Sequence, residues 1–120
     1  MADMFQVTAA GWLLTSLGHT ISARDWQSGR DFRSLSNLAY SCSTVGWFQG
    51  SGFFILNALL NYSWSQDMRL AQDPIHQYIA ILIVIISWAT STWYTTRRLA
   101  VMAMVMGVMG GLQGYASWAA

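Results

Sequence analysis

Four long, mainly apolar stretches alternate with short polar stretches along the chain. The apolar stretches cover approximately residues 5–23, 38–62, 75–94 and 99–118. A helix needs about 20 predominantly apolar residues to cross the hydrocarbon core of a bilayer, and each stretch has about that length. The pattern therefore predicts an all-α integral membrane protein: a single up-down four-helix transmembrane bundle over residues 1–120.

The polar stretches carry signals for helix ends. Asp73 followed by Pro74 is typical of a helix start. Aspartate caps free backbone N–H groups, and proline at the first helical position has no N–H to leave unpaired. Residues 95–98 are too few for anything but a tight turn, which makes the last two helices antiparallel neighbours. Loops are thus predicted near residues 24–37, 63–73 and 95–98.

Composition narrows the class of protein further. Only 9% of the residues are charged, against roughly 25% in a soluble domain, and 54% are hydrophobic. The chain has no Lys and no Glu, so its six cationic side chains are all Arg and its five acidic side chains all Asp. This composition excludes an ordinary soluble domain, a disordered chain and a nucleic-acid binder with a basic surface. It leaves membrane lipids as the surroundings of the helices.

Arginine residues are distributed unevenly over the loops. Only Arg69 lies in the second loop. The other five, in the first and third loops, are Arg24, Arg30, Arg33, Arg97 and Arg98. Short loops rich in Arg stay on the cytoplasmic or matrix side, so we expect loops 1 and 3 there and both termini on the opposite side. We favour the endoplasmic reticulum or another internal membrane over the mitochondrial inner membrane.

Polar and aromatic side chains gather on one face of the first helix and one face of the second when successive residues are placed about 100° apart. An unpaired amide at membrane depth is costly, so these groups either bond between helices or contact a bound ligand. Flanking Trp side chains favour the ligand, because they supply apolar walls around a few polar groups. The candidate substrate-binding residues are Trp12, Trp47, Gln49, Asn57 and Asn61.

His19 is the one imidazole expected within the hydrocarbon region, which makes it the candidate catalytic acid or base. Asp25 is its candidate catalytic partner, a pairing that requires the first helix to end near Ala23. The alternative is a neutral histidine bonded to a backbone carbonyl near the helix end. His76 lies roughly 25 Å away at 1.5 Å per residue, and Cys42 is alone. We therefore expect neither a metal site nor a cofactor.

Glycines four residues apart favour close helix packing. Such pairs are Gly46 and Gly50, Gly107 and Gly111, and Gly110 and Gly114. The packing could lie within the bundle or join copies into a homo-oligomer. On the fourth helix the glycines share one side, which we expect to face the polar sides of the first two helices.

Two hypotheses about function remain. In the first, the protein binds a lipophilic small molecule in an intramembrane cavity and transforms it by cofactor-independent acid–base chemistry. The reaction would be that of an isomerase or a cyclase, or the oxidation of an activated phenol. In the second, the chain is an accessory structural subunit of a larger membrane complex. The inward-facing polar groups favour the first hypothesis.

Overall fold

The computed structural model describes all 120 residues and contains helices but no strand. Each predicted apolar stretch lies largely within one long helix. The long helices are α1 (Ala2–Gln27), α3 (Asn37–Gln66), α5 (Pro74–Thr96) and α6 (Ala100–Trp118). The loops contain two short helices that the hydrophobic pattern does not predict, α2 (Arg30–Arg33) and α4 (Met68–Gln72). The all-helical fold predicted from the sequence is therefore confirmed.

The helix ends form for the reasons given by the sequence. The Asp73 carboxylate accepts a hydrogen bond from the Ile75 N–H at 2.9 Å, and Pro74 is the first residue of α5. Asp67 caps α4 in the same way through the Arg69 N–H. The Arg69 guanidinium, hydrogen-bonded to the Asp67 carboxylate, holds the pKa of that carboxyl below its usual value. These caps separate α3, α4 and α5 into distinct helices.

The turn between α5 and α6 is a Schellman motif. The Leu99 N–H bonds the Tyr94 carbonyl at 3.0 Å, and the Arg98 N–H bonds the Thr95 carbonyl at 3.1 Å. Arg98 takes the left-handed conformation, with φ of 59°, at the position where glycine is usual. The tight turn makes α5 and α6 an antiparallel hairpin, as predicted.

The bundle consists of two helical hairpins. Helix α1 packs along α3, α5 packs along α6, and α1 also contacts α6. The α1 side chains in ring contact with α3 repeat every seven residues, the spacing that keeps two packed helices facing each other. The ring pairs are Phe5–Trp64 at 5.6 Å, Trp12–Phe54 at 5.5 Å and His19–Trp47 at 3.7 Å between centroids.

The glycine side of α6 packs against α5. A Cβ on Gly110 would lie 2.5 Å from Trp88 Cδ1, and one on Gly107 would lie 3.1 Å from Ser91 Oγ. The predicted role in packing is therefore correct for these glycines, but the predicted partner is wrong. Helix α6 turns its opposite side, with Met109 and Gln113, towards α1 and α3.

The outer surface of the bundle is apolar. Thirty large hydrophobic side chains are exposed, and all four long helices contribute to them. Helices α5 and α6 are long and apolar enough to cross a membrane, whereas α1 and α3 are too polar on average to meet the same criterion. Length and composition thus give weak support for a membrane location and confirm two of the four predicted spans as candidates.

Candidate functional site

A cavity of about 540 Å³ lies between the two hairpins, and all four long helices line it. Its residues come from the middle and the second half of α1, the middle of α3, the end of α5 and the start of α6. It therefore occupies the end of the bundle next to loops 1 and 3. Leu14 of α1 and Val101 of α6 line it although their side chains are 70% and 76% exposed, so the cavity opens at the outer surface of the bundle.

His19 forms part of the cavity wall, and contacts on three sides fix its ring. The ring stacks on Trp47, and Phe54 packs edge-on at 5.2 Å. The Trp47 indole N–H donates to the His19 carbonyl at 2.8 Å, so Trp47 holds both the ring and the backbone. Gly50 leaves room for the imidazole, because a Cβ there would lie 3.1 Å from His19 Cε1.

The two imidazole nitrogens have different surroundings. Nδ1 lies 3.0 Å from the Ser51 hydroxyl. Nε2 has no hydrogen-bond partner within the chain, and it is not among the polar atoms closed off from solvent. His19 lines the cavity, and Nε2 is its nitrogen without a hydrogen-bond partner in the chain. A histidine held through one nitrogen with the other free has the arrangement of a general acid or base.

A short chain of hydroxyl groups continues from His19 into α1. The Thr20 hydroxyl lies 2.8 Å from Ser51 Oγ and 2.9 Å from the Ser16 carbonyl. Two arrangements of protons satisfy this chain. If Ser51 donates to Nδ1, Nε2 carries the proton. If Nδ1 donates to Ser51, Ser51 to Thr20 and Thr20 to the Ser16 carbonyl, then Nε2 offers a lone pair. Both arrangements keep the imidazole neutral.

The buried amides form a separate cluster outside the cavity lining. Gln113 Oε1 accepts from the Trp12 indole N–H at 3.0 Å and from Asn61 Nδ2 at 2.7 Å. Gln113 Nε2 donates to Asn61 Oδ1 at 3.2 Å. The side chain of Asn57 is also buried, but its Nδ2 has no hydrogen-bond partner. Trp12 and Asn61 therefore follow the other interpretation left open by the sequence, in which the polar groups join helices, whereas the side chain of Asn57 makes no hydrogen bond.

Two further predicted residues lie away from the cavity. Gln49 is exposed because the buried stripe of α3 follows the seven-residue spacing of Trp47, Phe54 and Asn61, which excludes position 49. Asp25 is exposed because α1 continues to Gln27 and does not end near Ala23. The expected His19–Asp25 pair does not form, and the hydroxyl of Ser51 takes that place. Of the seven predicted site residues, His19 and Trp47 line the cavity.

Four polar or small residues that shape this site were not among the predicted site residues: Gly50, Ser51, Thr90 and Tyr94. Ser51 lies between Trp47 and Phe54 on the seven-residue repeat, and that repeat could have identified it. Thr90 and Tyr94 lie one helical turn apart among several hydroxyl residues at the end of α5, so no feature of the sequence singles them out.

The second histidine belongs to the opposite end of the bundle. His76 Nδ1 accepts a hydrogen bond from the Trp64 indole N–H at 3.0 Å, which joins α3 to α5. No three His, Cys, Asp or Glu side chains come together as a metal site would require. No protein-family model matches this chain, and no curated protein or solved structure matches it either.

Proposed function

We propose that this chain is a four-span membrane protein that binds a lipophilic small molecule between its hairpins and transforms it by proton transfer at His19. The observation that carries the proposal is that His19 lines a cavity of about 540 Å³ while its Nε2 has no hydrogen-bond partner and is not closed off from solvent. Cavities of roughly 300–1,000 Å³ with mainly apolar walls are typical of small-molecule sites.

The distribution of side chains on α1 and α3 supports the four-span topology. Both helices bury polar groups, among them Ser16 on α1 and Asn61 on α3. Both expose Leu, Ile and Val, such as Leu17 and Leu59. A polar face that is covered within the bundle lowers the average hydropathy of a helix without exposing that face to lipid. The low average hydropathy of α1 and α3 is therefore compatible with both helices crossing a membrane.

The charged side chains support one orientation of such a bundle. Loops 1 and 3 carry five Arg and lie at the cavity end, whereas loop 2 carries one. We propose that the cavity end faces the cytoplasm or matrix, with both termini on the opposite side. As location we propose the endoplasmic reticulum or another internal membrane.

The chemistry that fits His19 is transfer of a proton within the bound molecule. As a base, Nε2 takes a proton from a C–H or O–H bond of the ligand, and the bonding electrons remain on the ligand. The imidazolium then returns the proton to a different ligand atom, which completes an isomerisation or a cyclisation without net oxidation. Oxidation of a phenol needs an electron acceptor in addition, so the proposal is limited to proton transfer.

The alternative of an accessory subunit predicts that His19, Gln49 and Asn57 satisfy one another or meet a neighbouring chain. None of these pairs forms within the chain. His19 instead lines a cavity of ligand size, and its Nε2 has no hydrogen-bond partner in the chain.

Thiol labelling tests the topology. The chain has one cysteine, the exposed Cys42, so a Cys42→Ser background carries no thiol. Single cysteines introduced at Ser34 in loop 1 and Gln72 at the end of α4 are exposed to a membrane-impermeant maleimide in sealed vesicles. Four spans predict opposite sides for the two positions. Labelling from the same side would contradict the proposal.

Extraction of the purified protein tests ligand binding. Gly18 lines the cavity and a Cβ there would meet nothing within 4 Å, so we expect Gly18→Phe to reduce the space in the cavity. Gly46 is equally open but lies outside the lining, which makes Gly46→Phe the matched control. Mass spectrometry should find a lipophilic molecule with the wild type and the control and much less with Gly18→Phe. Equal recovery from all three would reject the cavity as the binding site.

Deuterium exchange then tests the chemistry. The recovered molecule, incubated with wild-type protein in heavy water, should gain deuterium at carbon. We expect His19→Ala to abolish this exchange and His76→Ala, at the far end of the bundle, to retain it per folded molecule. Exchange that survives in His19→Ala, or no exchange in the wild type, would end the acid–base proposal.

A further inference from the structure

Besides His19, the lining of the cavity contains two hydroxyl groups that have no hydrogen-bond partner in the chain. The Thr15 hydroxyl donates to the Gly11 carbonyl, and the Ser22 hydroxyl donates to the His19 carbonyl, so their protons are already used. Thr90 and Tyr94 make no side-chain hydrogen bond within the chain. Both are half-buried, and neither hydroxyl is among the unpartnered atoms closed off from solvent, so a ligand in the cavity can reach them.

These two hydroxyls lie on the hairpin that does not carry His19. Thr90 and Tyr94 are one turn apart on α5, whereas His19 is on α1. The neighbouring hydroxyls of α5 are already bonded, since Ser87 donates to the Ile83 carbonyl and Ser91 to the Ala103 carbonyl. A hydroxyl left unbonded within a membrane span is unfavourable, so the cavity offers these two groups to a bound molecule.

The lining carries no Arg, Lys, Asp or Glu. An ionised carboxylate or phosphate there would lose its hydration without gaining an opposite charge, which is strongly unfavourable. His19 is the only side chain that could neutralise an acid, and its Nδ1 meets the Ser51 hydroxyl, not a carboxylate that would stabilise an imidazolium. The chemistry of the wall therefore favours an uncharged ligand.

We infer that the cavity selects an uncharged lipophile with one hydroxyl or carbonyl head, held between His19 on α1 and the hydroxyls of Thr90 and Tyr94 on α5. The aromatic rings of Trp47 and Phe54 and the flexible side chains of Met102 and Met106 cover the apolar body. This inference rests on the proposed binding cavity but does not depend on the acid–base step. It assigns recognition of the head group to α5.

Binding of chain-matched probes tests the inference. Hexadecanol, hexadecan-2-one, ionised hexadecanoate and hexadecane are titrated into the purified protein in detergent, with dissociation constants from native mass spectrometry. We expect the alcohol and the ketone to bind more tightly than the hydrocarbon and the acid anion. Thr90→Val and Tyr94→Phe, which remove only the hydroxyl, should each weaken alcohol binding by roughly three- to tenfold and leave hydrocarbon binding unchanged.

Thr92→Val is the matched control, because Thr92 is exposed on the same helix and lies outside the lining. Unchanged alcohol affinity in a Thr90→Val, Tyr94→Phe double variant would overturn the inference, as would tighter binding of the acid anion. Equal binding of all four probes by the wild type would remove head-group selection while the cavity remained a binding site. Binding of no probe by the wild type would reject the cavity itself, and the inference with it.

Discussion

The imidazole of His19 lies flat on the indole of Trp47, with the ring centroids 3.7 Å apart and the planes inclined by 11°. The same indole donates its N–H to the backbone carbonyl of His19. One side chain of α3 thus fixes both the ring and the helix that carries it. Such double support is what a site needs if one nitrogen is to point at a ligand reproducibly.

Replacing Gly50 by Ala should displace His19. The new Cβ would lie 3.1 Å from His19 Cε1, so the ring must shift away from Trp47 or Ser51. Gly46→Ala is the control, because a Cβ there meets nothing within 4 Å and the change in helix preference is the same. Ligand binding should fall in Gly50→Ala alone. Equal binding by the two variants would show that the ring tolerates the contact.

Two buried asparagines should respond differently to the same truncation. Asn61→Ala removes a side chain that both donates a hydrogen bond to Gln113 and accepts one from it. Asn57→Ala removes a side chain whose Nδ2 has no hydrogen-bond partner. Both changes delete the same volume from a buried position. We expect Asn61→Ala to lower the free energy of unfolding by about 1–3 kcal/mol more than Asn57→Ala. Unfolding in mixed micelles measures the difference, and equal losses would contradict the assigned network.

Close packing of α5 on α6 should depend on Gly110. Gly110→Ala would bring a Cβ within 2.5 Å of Trp88 Cδ1 and 3.0 Å of Ser87 Cβ. Overpacking of this kind costs about 1–3 kcal/mol. Gly111→Ala, in the same helix with open space around it, provides the reference. The melting temperature in detergent should drop for Gly110→Ala only, and an unchanged value would mean that the two helices are further apart than described.

Arg98→Gly should stabilise the turn between α5 and α6. Arg98 has φ of 59°, a conformation that disfavours residues with a Cβ by about 1 kcal/mol. Arg97→Gly removes the same charge from a residue with φ of −92°, whose guanidinium lies 4.8 Å from the Trp93 ring centroid. Thermal unfolding should therefore occur at a higher temperature in Arg98→Gly and at a lower temperature in Arg97→Gly. A reversed order would reject the Schellman assignment.

The hydrophobic pattern and the cap residues were enough to predict the four long helices. The inward face of α1 was also predictable, since Thr8, Trp12 and Ser16 are buried as their spacing indicates. The face of α3 was harder to place. At about 100° per residue, Gln49 and Trp47 lie equally far from Asn57 on opposite sides, whereas the seven-residue repeat of packed helices runs from Asn61 through Phe54 to Trp47. The angular error of placing successive residues about 100° apart grows with distance along a helix, so it affects the cavity end of α3.

The partners of each polar group could not be predicted from one helix at a time. Gln113 was not among the predicted site residues, but it is the residue that joins Trp12 to Asn61. Thr90 and Tyr94 were not among them either. Their place in the site depends on how the two hairpins meet, which is a property of tertiary structure.

The contrast in hydropathy between the hairpins bears on how the protein is made. Helices α5 and α6 are each long and apolar enough to be candidate spans, whereas α1 and α3 bury their polar faces within the bundle. The ribosome releases α1 and α3 first. In a four-span protein the nascent amino-terminal half must therefore enter the bilayer as a preformed pair, or stay with the insertion machinery until the carboxy-terminal half arrives.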